Sequence, residues 1–272
     1  MSRDLPRLWR VPLLILGMVS LFGGAAAGLL RIGWMAPLPG TASVLDHGPL
    51  MIGAFFGTVI SLERAVALGA RWAYSAPLCA GLGGLALLAG LGDTTGPALL
   101  FAGSLFMLAG SLAVYLRQRA LHTLTLVLGA AGWAAGNALW LTGFSISAVA
   151  PLWMAFLILT IAGERLELSR FLPPSPVASK VFAGIVAVLL TGTLAAFSTL
   201  PGAGLLFPAT LLALAAWLLK QDIARHTVRQ KGLTRFIAVC LLSGYVWLCI
   251  GALILLSAGG IVANSAAYGA GL

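Results

Sequence analysis

His47 and Met51 are the pair of residues in this sequence whose types and spacing best fit binding chemistry. Being four residues apart, they are expected on one face of a helix. Imidazole is the commonest protein ligand of haem iron, and a thioether is a softer one. The pattern therefore predicts a cofactor site at His47 and Met51, or a metal site at His47. The simpler alternative is that Asp46 and His47 cap the helix and face water at the interface, while Met51 belongs to the core.

Small and hydroxylic residues continue the helix face that carries His47, at Ala54, Thr58 and Ser61. They leave room beside the helix either for a flat ligand or for a neighbouring backbone. Elsewhere, pairs of glycines four residues apart predict close helix packing. These pairs are Gly24 with Gly28 and Gly53 with Gly57. Asn137 is the strongest polar group near the middle of an apolar segment, and it is expected to form a hydrogen bond across helices near Gly132 and Gly136.

The elements that position these residues must be membrane helices. The 272 residues are 60% hydrophobic and only 8% charged, which is too little charge for a soluble domain of this length. Several continuous apolar runs reach the roughly 20 residues that a helix needs to cross a bilayer. We predict an all-α polytopic membrane protein with one integral membrane domain over residues 1–272 and the lipid bilayer as its main partner. The nine predicted spans are 11–30, 47–66, 72–92, 97–116, 121–143, 147–166, 179–200, 204–221 and 235–258.

The basic residues predict the orientation of the chain. Of the 16 lysines and arginines, 15 precede the first span or lie in loops on one side, and only Arg31 lies on the other. Cytoplasmic loops carry such an excess, so we expect a bacterial inner-membrane protein with a cytoplasmic amino terminus and an outer carboxyl terminus. The same pattern accounts for the net charge of +9 without a nucleic-acid partner. It places His47 on the outer side, and His122 and His226 about 30 Å away on the cytoplasmic side.

An internal repeat is predicted from two similar spans. Pro49 begins a span that ends near Glu63, and Pro151 begins another that ends near Glu164. Such symmetry is common in membrane folds. The ninth helix would then begin a third repeat that is not completed, which predicts a truncated chain; a complete nine-helix protein is the alternative. The predicted repeats are 11–116 and 121–221, followed by the ninth helix at 235–258.

A histidine at the start of span two, a four-helix repeat and an incomplete third repeat together resemble the catalytic subunit of haem–copper oxidases. The stretch from His47 to Met51 and the triplet Leu62-Glu63-Arg64 also resemble divergent bacterial relatives, including NnrS-like proteins linked to nitric oxide stress. In the oxidases, twelve helices form three arcs, and histidines of helices two and ten hold a low-spin haem. The resemblance implies that His47 is a ligand of haem b. The second ligand would come from another subunit or from missing carboxyl-terminal helices.

The resemblance does not extend to oxygen reduction, because spans six and seven lack the copper-ligating histidines of the oxidases. It implies a protein that binds haem b or a metal near the outer face, for electron transfer or for nitrogen-oxide or metal handling. The alternative is a non-redox membrane protein, either a small-solute transporter or a structural or assembly factor. No residue is assigned a catalytic role, and whether the protein is an enzyme stays open.

Overall fold

Long apolar helices make up most of the part of the chain that the structure describes. The computed structural model describes residues 4–34, 44–91, 93–171, 175–198 and 200–261. Within these ranges the chain has no strand, and nine helices are long and apolar enough to cross a membrane. The prediction of an all-α polytopic membrane protein is therefore confirmed. The helices are α1 (Arg7–Arg31), α2 (Pro49–Leu68), α3 (Arg71–Ala89), α4 (Thr95–Arg117), α5 (Leu121–Leu141), α6 (Ile146–Leu168), α7 (Pro176–Ala195), α8 (Ala203–Gln221) and α9 (Gly232–Ser257).

Glycines end two of these helices. Gly69 follows α2 with φ 65°, and Gly90 follows α3 with φ 63°. This left-handed conformation stops a helix and strains any residue that has a Cβ atom. The predicted third span, 72–92, therefore ends at Ala89.

The first compact unit comprises residues Met1–Arg119 and Val127–Leu157. Its core contains Leu100, Trp133 and Phe156, all fully buried, and the rings of Trp133 and Phe156 stack with centroids 5.0 Å apart. Glycine lets the helices approach: a Cβ atom on Gly57 would lie 2.3 Å from the Trp133 ring, and one on Gly53 would lie 3.0 Å from Leu100. The packing predicted for this glycine pair is thus confirmed.

The second compact unit comprises residues Ala120–Leu126 and Ile158–Leu272, described here to Ile261. Helices α7 and α8 pack closely at Gly192, where a Cβ atom would lie 2.8 Å from the backbone nitrogen of Phe207. Helix α9 packs against α8 and remains largely exposed, with 11% of its most apolar stretch buried. The internal repeat and the single-domain boundaries stay predictions. The chain beyond residue 261, including the predicted outer tail, lies outside the described residues.

Candidate functional site at His47

His47 occupies the first turn of the segment that becomes α2. A short 3₁₀ turn, Val44–Asp46, precedes it, and the first eight residues of α2, Pro49–Phe56, form a π-helix. Pro49 suits this position because its missing N–H would have no partner at a helix start. The regular α-helical spacing expected from His47 onward is therefore wrong over residues 49–56, where the turns are wider. Most π-helical segments are single turns, and they are frequent at functional sites.

The imidazole of His47 is tied to α1 by a hydrogen bond. Its Nδ1 lies 2.8 Å from the carbonyl oxygen of Gly24. A carbonyl oxygen can only accept, so Nδ1 carries the proton and donates it. In the neutral form of the ring, the lone pair then lies on Nε2. Metal-binding histidines are commonly oriented in this way, with one ring nitrogen donating to a carbonyl or carboxylate and the other left for the metal.

A glycine notch on α1 receives both His47 and Met51. A Cβ atom on Gly28 would lie 2.8 Å from Nδ1 of His47, and one on Gly24 would lie 2.9 Å from the sulfur of Met51. The predicted packing role of Gly24 and Gly28 is thus confirmed, and these two residues define the Gly24–Gly28 notch. The structure places His47 and Met51 together, both partly buried against α1.

Neighbouring helices fill the space beside the rest of this face. Ala54, Thr58 and Ser61 are buried. A Cβ atom on Gly17 of α1 would lie 3.3 Å from Thr58, and one on Gly84 of α3 would lie 2.6 Å from Ala54. Of the two expectations for this face, the described residues bear out the close approach of neighbouring helices, which occupy the space at Ala54 and Thr58.

The ligand set at the notch is small. Among the described residues, no group of three or more histidines, cysteines or acids could hold a metal ion. His47 and Met51 both pack against α1. If haem or a metal ion were bound here, His47 would hold it through Nε2, and Met51 would provide an apolar contact rather than a second ligand. A second ligand would come from beyond these two side chains.

The other two histidines belong to different surroundings in the second unit. His226 is exposed, and its Nε2 accepts a hydrogen bond from Arg225. His122, together with Arg170, Ser179 and Gln221, lines a pocket of about 440 Å³ that has both polar and apolar walls. This pocket was not predictable from the sequence, because its lining comes from α5, α6, α7 and α8 and from the connection before α7. The residues of the pocket share no local motif.

A buried acid was also missed. Asp222 follows α8 and is 1% exposed. One carboxylate oxygen accepts a hydrogen bond from the backbone N–H of Ala224, and the other accepts one from the hydroxyl of the buried Tyr245 on α9. The available signal was that Asp222 is the single acid within a strongly basic segment.

Asn137 forms the cross-helix hydrogen bonds predicted for it. Its side-chain nitrogen donates to the carbonyl oxygen of Leu100 at 3.1 Å, and its side-chain oxygen accepts from the indole N–H of Trp153 at 3.0 Å. Gly136 makes room for the contact, because a Cβ atom there would lie 2.6 Å from the Trp153 ring. Asn137 thereby joins α4, α5 and α6.

Comparison with known proteins assigns the chain to a family. Residues 10–272 match the family described as Domain of unknown function (DUF8744). No curated protein and no solved structure gives a significant match. Because the match covers nearly the whole chain, the protein belongs to this family.

Proposed function

We propose that this member of a family without an assigned activity binds haem b or a metal ion through His47. The role would be electron transfer, or nitrogen-oxide or metal handling, at the outer face of a bacterial inner membrane. The proposal includes a distant relationship to the haem–copper oxidase and NnrS-like group. The single observation that carries it is the hydrogen bond from Nδ1 of His47 to Gly24, which in the neutral ring leaves the lone pair on Nε2 for coordination.

Three features of the notch support this role. The imidazole donates to a backbone carbonyl, the ring packs against the Gly24–Gly28 notch, and a π-helical segment follows directly. Such preorganisation reduces the entropy that a ligand side chain loses on coordination. When bound, haem would supply a one-electron redox centre. His47 would hold and orient it, and Met51 would contribute an apolar contact beside it.

The test is the absorption spectrum and metal content of the purified full-length protein. It is produced in haem-replete cells and without a polyhistidine tag. We expect a haem Soret band or a stoichiometric bound metal in the wild type, and its loss in His47→Ala. The matched control is His226→Ala, which removes an exposed histidine and should leave the signal unchanged. A colourless and metal-free wild type would overturn the proposal.

A second variant separates coordination from packing. In His47→Asn, the amide nitrogen takes the approximate place of Nδ1 and can still donate to Gly24, but nothing replaces Nε2. If His47 is a ligand, this variant folds with near wild-type stability and loses the chromophore or metal. Gly28→Ala keeps the whole imidazole of His47 but displaces it, because the added Cβ atom takes part of the space that the ring occupies. Partial loss of the signal is expected there, and none in Gly184→Ala, whose Cβ atom meets nothing within 4 Å.

The alternative is a non-redox role, as a small-solute transporter or as a structural or assembly factor. The observation in its favour is that the notch also explains His47 as a packing residue with a satisfied hydrogen bond. Under this alternative, His47→Asn would behave like the wild type in every assay. His47→Ala would lower stability only.

A further inference from the structure

An apolar groove in the second unit lies between α6, α8 and α9. It has a volume of about 460 Å³. Its lining side chains are almost all aliphatic or aromatic. They include Ile158, Ile161, Leu218, Ile237, Leu241 and Leu248.

The length of the groove corresponds to one leaflet of a bilayer. Along α9 it runs from Phe236 to Leu248, and at 1.5 Å per residue this spans about 18 Å. The hydrocarbon layer of one leaflet is about 15 Å deep, half of the whole core. Phe236 and Ile237 are 65% and 48% exposed. The groove is therefore open on its side and about as long as an acyl chain within one leaflet.

A cluster of basic residues lies at one end of this groove. Leu218 is two residues before Lys220, and Phe236 directly follows Arg235. Five exposed lysines and arginines belong to this end and define the basic loop. They are Lys220, Arg225, Arg229, Lys231 and Arg235.

The acidic side chain in the same segment is buried. Asp222 is the only acid between residues 219 and 257. It is buried and accepts hydrogen bonds from Tyr245 and Ala224. These bonds also join the end of α8 to the one-turn helix Ala224–Thr227 and to α9. The basic loop is thus anchored next to the groove with its positive charge uncompensated by an exposed acid of its own segment.

We propose that the groove and the basic loop form a binding site for an anionic phospholipid. One acyl chain lies in the groove, and the headgroup phosphate contacts the basic loop. Phosphate is the complementary charge for such a loop, and each lysine or arginine near an anionic membrane surface adds measurable affinity. The site lies in the second unit and involves none of the residues proposed to bind haem or metal.

The test compares lipid binding by native mass spectrometry of the detergent-purified full-length protein. The probes are phosphatidylglycerol and phosphatidylcholine with identical acyl chains. We expect the wild type to bind phosphatidylglycerol about tenfold more tightly. Replacing Arg229, Lys231 and Arg235 by glutamine should reduce this preference to about twofold or less. The matched control neutralises three exposed arginines of the first unit, Arg71, Arg117 and Arg119, and should keep the preference.

A second pair of variants tests the groove itself. Gly244 lines the groove, and a Cβ atom there meets nothing within 4 Å, so the Cβ atom of Gly244→Phe is accommodated and its ring is expected to occupy the groove. It should weaken binding of both lipids, whereas Gly184→Phe on the exposed face of α7 should weaken neither. Equal affinity of the wild type for the two lipids would overturn the proposal. So would a wild-type dimer that Gly244→Phe converts to a monomer, because a second copy of the chain would then occupy the groove.

Discussion

At the scale of single residues, several polar side chains of this protein donate hydrogen bonds to backbone carbonyls of a neighbouring helix. His47 donates to Gly24, Asn137 donates to Leu100, and Trp217 donates to Ala178. In a membrane helix these carbonyls already accept a bond within the helix, and their second lone pair is available to a neighbouring side chain. A polar side chain can therefore join two helices without a second polar residue as its partner.

Two buried tryptophans allow the contribution of a cross-helix hydrogen bond to stability to be measured. The indole N–H of Trp153 donates to Asn137, whereas that of Trp133 has no partner among the described residues. Both side chains are buried, so replacement by phenylalanine removes similar volume from each site. Trp153→Phe leaves an acceptor of Asn137 unpaired, and Trp133→Phe removes an unpaired donor. We expect Trp153→Phe to lower the free energy of unfolding by about 1 kcal/mol more than Trp133→Phe does.

Denaturant titration of the two variants in the same detergent measures this difference. The wild type and Trp140→Phe serve as references, since Trp140 is partly exposed and touches the edge of Trp153. Equal stability of Trp153→Phe and Trp133→Phe would mean that Asn137 draws no stability from the indole N–H.

At the scale of elements, glycines determine which helices approach most closely. The notch on α1 receives the start of α2, Gly57 receives Trp133, and Gly192 admits the backbone of α8. In lipid there is little hydrophobic drive between helices, so close contact of small residues supplies much of the association. The π-helical start of α2 lies at such a contact. Its Leu50 and Ala54 are fully buried and touch Gly24 of α1 and Gly84 of α3.

The segment before α1 is attached to α3 by an acid. Asp4 accepts hydrogen bonds from the hydroxyl of Tyr74 and from Arg10, each at 2.6 Å. The bond from Tyr74, helped by Leu5 and Arg10, lowers the pKa of the Asp4 carboxyl below its ordinary value of 3.8 and outweighs the opposing effect of partial burial. The attachment is therefore fully present above pH 3.8 and is lost as the pH falls through the lower, folded-state pKa.

We expect Asp4→Asn to detach this segment at neutral pH. Hydrogen–deuterium exchange of residues 5–10, corrected for the intrinsic pH dependence, should rise severalfold in the variant. In the wild type the same rise should occur only below pH 3.8. Asp93→Asn, which removes an exposed acid from the connection between α3 and α4, is the matched control. Unchanged protection in Asp4→Asn would show that the segment is held by other contacts.

Sequence patterns predicted the parts of this structure that depend on local composition. The nine spans follow from hydropathy, and the faces of Gly24 with Gly28 and Gly53 with Gly57 follow from spacing alone. The partner of His47 was not predictable, because a backbone carbonyl has no signature in the sequence. Asp222 and Tyr245 are 23 residues apart and meet only through the packing of α8 and α9. The π-helical turns of Pro49–Phe56 likewise lie where α2 packs against α1 and α3, and helical periodicity does not encode them.

At the scale of the whole molecule, orientation decides which compartment His47 faces. The excess of basic residues on one side predicts that His47 lies on the outer side. Within the first unit, the structure places the start of α2 beside the start of α6: a Cβ atom on Gly48 would lie 3.5 Å from the side chain of Ile146. The two helix starts therefore share one side of the membrane. The side of the membrane on which the connection between α5 and α6 lies is therefore also the side on which His47 lies.

Fusions of alkaline phosphatase, which is active only after export, test this orientation. A fusion after Ser145, in the connection that shares its side with His47, is expected to be active. A fusion after Gln230, in the basic loop, is expected to be inactive, and green fluorescent protein at the same two positions should give the opposite result. Exchanging Arg229 and Lys231 for glutamine should reduce the difference in phosphatase activity between the two fusions, because the positive charges of the basic loop help to retain it in the cytoplasm. An active fusion at Gln230 with an inactive one at Ser145 would place His47 in the cytoplasm, and any redox partner of the site would then have to be cytoplasmic as well.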